Sequence, residues 1–136
     1  SDREDKKMKS VIVVVIIAMV VLTACSSQPK YPREEIDKLA KCITANGGVE
    51  YGAYWCPNCA KVKKNFGSSF QYIKYIECDP RGDNEQSALC LEKGIKKYAT
   101  FIFNDDPNLG NWLVGVPTFE QLAAKAGCPP PQPEAK

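Results

Sequence analysis

The chain has 136 residues, 44% of them hydrophobic and 25% charged, which suits one globular domain with short tails. Its 18 basic and 16 acidic residues leave a formal charge of +2, so neither nucleic acid nor a strongly acidic partner is indicated. Histidine is absent, which excludes Ser/His and Cys/His catalysis and every zinc site that needs imidazole.

Lys6, Lys7 and Lys9 precede an unbroken apolar run from Val11 to Leu22. The run is shorter than the roughly 20 residues of a bilayer-spanning helix and suits the core of a secretory signal. Leu22-Thr23-Ala24-Cys25-Ser26-Ser27 then resembles a bacterial lipoprotein processing site. That resemblance implies cleavage before Cys25 and lipidation of its sulfur. The alternative is an uncleaved N-terminal membrane helix with a cysteine at its end. Met8-Lys9-Ser10 has the look of a natural start, with 1–7 as an upstream extension. Residues 1–24 are thus expected to target the membrane, 25–32 to form a polar tether, and 33–128 to fold. Residues 129–136 form a proline-rich tail. Either reading places the folded part in an oxidising, extracytoplasmic space, anchored to the membrane.

Ile36, Leu39, Ala40 and Ile43 recur at helical spacing, and Asn46-Gly47-Gly48 ends that helix at about Ala45. A short buried strand is expected over Val49 to Tyr54, and a helix over Ala60 to Phe66, stopped by Gly67. Alternation from Phe70 to Cys78 predicts a second strand. Asn84 to Lys93 reads as a helix with Ala88, Leu89 and Cys90 inward, closed by Gly94. Strands follow at Thr100 to Phe103 and Asn111 to Val116, joined by the turn-rich 104–110. Thr118 is a fair N-cap for a last helix ending at Gly127, and Gln121 completes a capping box. The order β-α-β followed by β-β-α is that of a thioredoxin-like α/β fold. It implies a central mixed sheet of about four strands flanked by helices, with an extra N-terminal helix.

Chemistry concentrates at Trp55-Cys56-Pro57-Asn58-Cys59, between a strand and a helix. Two cysteines at this spacing can open and close as a dithiol: Cys56 is the nucleophile, and Cys59 resolves the mixed disulfide it forms. The other readings of the pair are a permanently closed disulfide and a metal or cluster ligand. No second C-x-x-C stands in the chain to complete a zinc ribbon. Trp55 and Tyr54 either line a peptide groove or pack the site. Glu50, on the strand leading to the pair, is a candidate proton acceptor for Cys59 or a plain edge charge. Lys61, Lys63 and Lys64 form a solvated helix face that adds positive field near Cys56. Arg81-Gly82-Asp83 matches an adhesion tripeptide, a match too short to carry weight.

Of the seven cysteines, Cys25 takes the lipid and Cys56 and Cys59 the redox role. Cys42, Cys78, Cys90 and Cys128 remain, and spacing leaves their three pairings open.

Leu39-Ala40-x-Cys42, Tyr51-Gly52-Ala53-Tyr54-Trp55-Cys56-Pro57-x-Cys59, Phe66-Gly67 and Tyr75-Ile76-Glu77-Cys78 occur together with Cys90, Gly94-Ile95, Leu122-Ala123 and Gly127-Cys128. Together they resemble the thioredoxin-like domain fused to bacterial and plant vitamin K epoxide reductase homologues. The resemblance covers roughly Lys38 to Cys128. It implies a thiol–disulfide oxidoreductase, without metal or cofactor, that exchanges electrons between secreted protein thiols and a membrane reductase. It also implies structural disulfides Cys78–Cys90 and Cys42–Cys128. The rival functional class is a non-catalytic binding or chaperone-like module.

Two positions depart from that family, and no reductase domain is present in the chain. Tyr98-Ala99-Thr100 lacks the proline that precedes the threonine, so a trans or strained peptide is expected before Ala99. Asn58 stands where histidine is common, so a weaker hold on the Cys56 thiolate and a less oxidising couple are expected.

Overall fold

The computed structural model describes residues 1–21 and 30–135. Helix α1 spans Asp2–Val21, and among the described residues no helix is long and apolar enough to cross a membrane. Cys25, the expected lipid site, and residues 26–29 of the tether lie outside the described residues.

Ile36, Leu39, Ala40 and Ile43 form the buried stripe of helix α2, Arg33–Ala45. The helix stops at Asn46, and Gly47 takes a φ of 79°, a conformation that costs glycine little. There follow β1 (Gly48–Gly52), α3 (Pro57–Phe66), a 3-10 turn (Gly67–Tyr72) and β2 (Lys74–Glu77). Then come α4 (Ser87–Glu92), β3 (Thr100–Phe103), a second 3-10 turn (Leu109–Asn111), β4 (Leu113–Val114) and α5 (Phe119–Ala126). The strands make one sheet in the order β2-β1-β3-β4, with β1 parallel to β2 and both other pairs antiparallel. This is a thioredoxin-like α/β arrangement.

Alternate residues of a strand face opposite sides of the sheet. On one side Phe101 and Phe103 meet Leu39 and Ile43 of α2, Phe66 of α3 and Leu122 of α5. On the other, Tyr51, Ile76 and Ile102 pack with Cys78, Cys90 and Ile95 near α4. The functional helix α3 therefore shares its side with α2 and α5.

Several boundaries differ from expectation. Phe70 to Tyr72 is a 3-10 turn rather than strand, because the Thr44 hydroxyl organises it from α2. That hydroxyl donates to Tyr72 O at 2.7 Å and accepts from Lys74 N at 3.1 Å, so β2 begins only there. Strand β1 ends at Gly52, before the turn in which Cys56 N donates to Ala53 O. Helix α3 begins at Pro57, earlier than the apolar pattern suggested. Helix α4 is shorter than 84–93, since Asn84 has a φ of 52°, and Ala88 is exposed while Cys90 is buried. The 3-10 turn at Leu109–Asn111, capped by the Asn108 side chain, leaves only two residues of β4.

At α5 both halves of the capping box form: Gln121 N donates to Thr118 Oγ1, and Thr118 N to Gln121 Oε1. Thr118→Ala should lower stability by about 1 kcal/mol. An unchanged midpoint in urea unfolding would show that the cap contributes nothing. The chain leaves α5 through Gly127 and runs back along α2. Pro131 is buried there, and Gln132 N donates to Glu35 Oε2 at 3.1 Å.

Candidate active site

Cys56 is the N-cap of α3, and Pro57 fills the first helical position, where its missing N–H is no loss. The dithiol thus stands where first-turn N–H groups favour negative charge. Both sulfurs are free, and both residues are buried, Cys59 the more deeply at 1% exposure. Burial pushes the Cys59 thiol up to about 12, opposed by a backbone hydrogen bond from Ala53. Near neutral pH Cys59 is therefore held as the thiol, and its attack is favoured by a base that takes its proton.

The Tyr98–Ala99 peptide is cis, where a trans or strained bond was expected, which corrects the first of those two alternatives. Asn58 Nδ2 donates to Tyr98 O at 3.0 Å, Gly115 N donates to Ala99 O at 2.8 Å, and Ala99 is wholly buried. Asn58 thus ties the C-x-x-C segment to the loop before β3. Thr100 behaves differently. It pairs with Tyr51 in register, and its hydroxyl is taken up by Lys97 O at 2.7 Å.

Trp55 is half exposed and pinned. Its Nε1 donates to Asp79 Oδ2 at 2.6 Å, and its ring meets Tyr98 edge-on at 6.0 Å. Arg81 donates to both oxygens of Asp79, through Nε at 3.0 Å and Nη2 at 2.8 Å. The side-chain bonds from Arg81, then its backbone N–H and the Trp55 indole, hold the Asp79 carboxyl well below the usual carboxylate range. Arg81 of the adhesion-like tripeptide is therefore engaged with Asp79. Exposed Tyr54 stands next to Trp55 and widens this apolar rim. Local sequence carried no signal for the pairing of Trp55 with Asp79, which closes over 24 positions.

Glu50 is fully buried, and neither carboxylate oxygen has a hydrogen-bond partner among the described residues. Burial raises it to about 8, with the Lys63 ammonium pulling the other way. Gly52 is the contact point between strand and dithiol: a Cβ there would stand 2.7 Å from Cys59 Sγ. A side chain at this position would displace the resolving sulfur.

The other four cysteines close as Cys42–Cys128 and Cys78–Cys90, spanning 86 and 12 positions. The first joins α2 to the segment after α5, and the second joins the end of β2 to α4. No group of three or more Cys, Asp or Glu side chains is arranged to hold a metal among the described residues.

No protein-family model matches the chain. The chain is 27% identical over 116 residues to the thiol-disulfide oxidoreductase LTO1 of Arabidopsis thaliana. The likeness is to a thiol-disulfide oxidoreductase. The match takes in 69% of this chain and 31% of that protein, so the chain spans about a third of the relative's length.

Proposed function

We propose that the protein is a thiol–disulfide oxidoreductase working through Cys56 and Cys59. The observation that carries this reading is the free, buried dithiol at the N-terminus of α3, tied through Asn58 to the loop at Tyr98. With the pair oxidised, a substrate thiolate attacks Cys56 Sγ, the Cys56–Cys59 bond breaks, and a mixed disulfide forms. A second substrate thiolate displaces Cys56, leaving an oxidised substrate and two electrons on the dithiol. To reset, Cys56 attacks a partner's disulfide. Cys59 then loses its proton to a nearby base and attacks Cys56 Sγ, and the partner leaves reduced.

The substrates are secreted protein thiols, and the electron acceptor is a separate membrane reductase of the vitamin K epoxide reductase type. The domain works outside the cytoplasm, held to the membrane by lipid on Cys25. Residues 25–32 serve as its tether, 33–128 as the redox domain and 129–136 as its tail. The loss of proline before Thr100 was the argument for a non-catalytic binding module. Asn58 Nδ2 is hydrogen-bonded to Tyr98 O beside that position. Because Asn58 is uncharged and bonded to Tyr98 O, the couple is expected to be less oxidising than a Cys-Pro-His-Cys pair.

The test is turnover of a disulfide-bonded peptide, with the Cys56/Cys59 potential set against glutathione. Cys56→Ser should abolish turnover, and Cys59→Ser should trap a mixed disulfide visible by mass. Unchanged turnover in Cys56→Ser overturns the reading.

A further inference from the structure

Glu50 has a difficulty as the outlet for the Cys59 proton. With no hydrogen-bond partner on either oxygen among the described residues, it has no bonded path to pass a proton outward. A second pair of groups does. Glu50 and Tyr75 are direct partners across the parallel β1–β2 ladder. The Tyr75 ring leans over Gly52: Cys59 Sγ lies 2.7 Å and Tyr75 Oη 3.2 Å from the point where a Gly52 Cβ would stand. Sulfur and hydroxyl thus converge above a residue that has no side chain. From there Tyr75 Oη donates to Glu77 Oε2 at 2.8 Å, while Glu77 Oε1 accepts from Asp79 N at 2.9 Å. Glu77 is buried, yet it adjoins the loop carrying exposed Pro80 and Arg81.

We propose that Tyr75 and Glu77 form a proton relay for Cys59, leading from the resolving thiol to the 79–82 loop. This rests on the redox reading given above. In the resolving step the Cys59 S–H proton passes to Tyr75 Oη as the tyrosine's own proton moves to Glu77 Oε2. The freed sulfur pair forms the Cys59–Cys56 bond, and the sulfur bound to Cys56 leaves as thiolate. Burial, and then the hydrogen bond to Glu77, raise the Tyr75 hydroxyl above its ordinary value. A hydroxyl so held stays protonated, so Tyr75 hands a proton on rather than keeping one. No hydrogen bond joins Cys59 to Tyr75 in the reduced state, and such bonds commonly tighten only in the reacting complex. The charged and titratable groups facing this cluster are Glu50 from β1, Glu77 from β2, Cys56 and Lys63 from α3, and Tyr98 and Asp79 from the adjoining loops. Lys63 Nζ stands over the Tyr75 ring, 4.3 Å from its centroid.

The test is the reaction of the reduced full chain with dithiobis-nitrobenzoate, which needs no natural substrate. Cys56 releases the first thionitrobenzoate, and attack by Cys59 releases the second. Tyr75→Phe keeps the ring, which packs on Phe70 at 6.0 Å, and removes only the hydroxyl. It should leave the first release unchanged and slow the second roughly a hundredfold near neutral pH, the scale of a positioned proton transfer. The difference should shrink as pH approaches the range in which Cys59 ionises unaided. Glu77→Gln should reproduce both effects. A merely structural role would not move this pH profile. If Tyr75→Phe keeps the wild-type second release and profile, the relay is overturned while the redox reading stands. If the wild-type protein releases only one equivalent, the redox reading is overturned and the relay with it.

Discussion

Unfolding free energy is expected to fall as pH rises from 4.5 to about 8, and Glu50→Gln is expected to remove that fall. Burial raises the folded-state value of Glu50 to about 8, against 4.5 for an ordinary glutamate. Below 4.5 both folded and unfolded chains bind the proton, so the ionisation of Glu50 adds no cost there. Between the two values only the folded state keeps it, and each pH unit then removes about 1.4 kcal/mol of stability. Above about 8 both states have released it, and the loss stays constant, on the order of 5 kcal/mol. That is a large share of the roughly 5–15 kcal/mol that holds a domain together. Other shifted groups act outside this window, Cys59 and Glu120 among them. Cys59, moved from 9.0 to about 12, costs stability in the same sense but only above pH 9. Exposed Glu120, bonded by Tyr31 and lowered to about 2, adds stability that is lost as pH falls below 4.5. Urea unfolding across a pH series checks the point. The buried amide of Glu50→Gln adds a cost that does not vary with pH, so the slope is the readout. Parallel wild-type and variant curves would show that Glu50 does not hold its proton in the fold.

The second large effect is expected from Cys42→Ala combined with Cys128→Ala, which should cost about 4 to 5 kcal/mol. The disulfide closes a loop of 86 positions, and loop-closure entropy sets that magnitude. The same change frees the segment that buries Pro131 along α2. Chemical unfolding of the double variant under oxidising conditions, with Cys78–Cys90 intact, gives the number. A loss below about 1 kcal/mol would mean that α2 and the tail are held by packing alone. The dithiol chemistry should survive in the fraction that remains folded, since α3 and β1 carry it.

The sequence made α2, α5 and the dithiol legible because each is specified locally. Apolar spacing marks α2, and Thr118 with Gln121 marks the start of α5. A proline between two cysteines marks the head of α3. Elements that depend on distant partners were misread. Phe70 to Tyr72 alternates like a strand, but Thr44, some thirty positions earlier, turns it into a 3-10 segment. The cis peptide before Ala99 is held by Asn58, 40 positions away from Tyr98, so nothing adjacent announces it. Tyr75 and Glu77 read as ordinary strand residues until the parallel ladder brings them beside Glu50 and over Gly52.

The Cys42–Cys128 bond also sets where tension travels. A pull applied to the chain ahead of α2 and to the tail beyond Pro131 passes along α2 to Cys42, crosses one S–S bond, and leaves through Cys128. The sheet, α3 and the dithiol hang off that line as an unloaded loop.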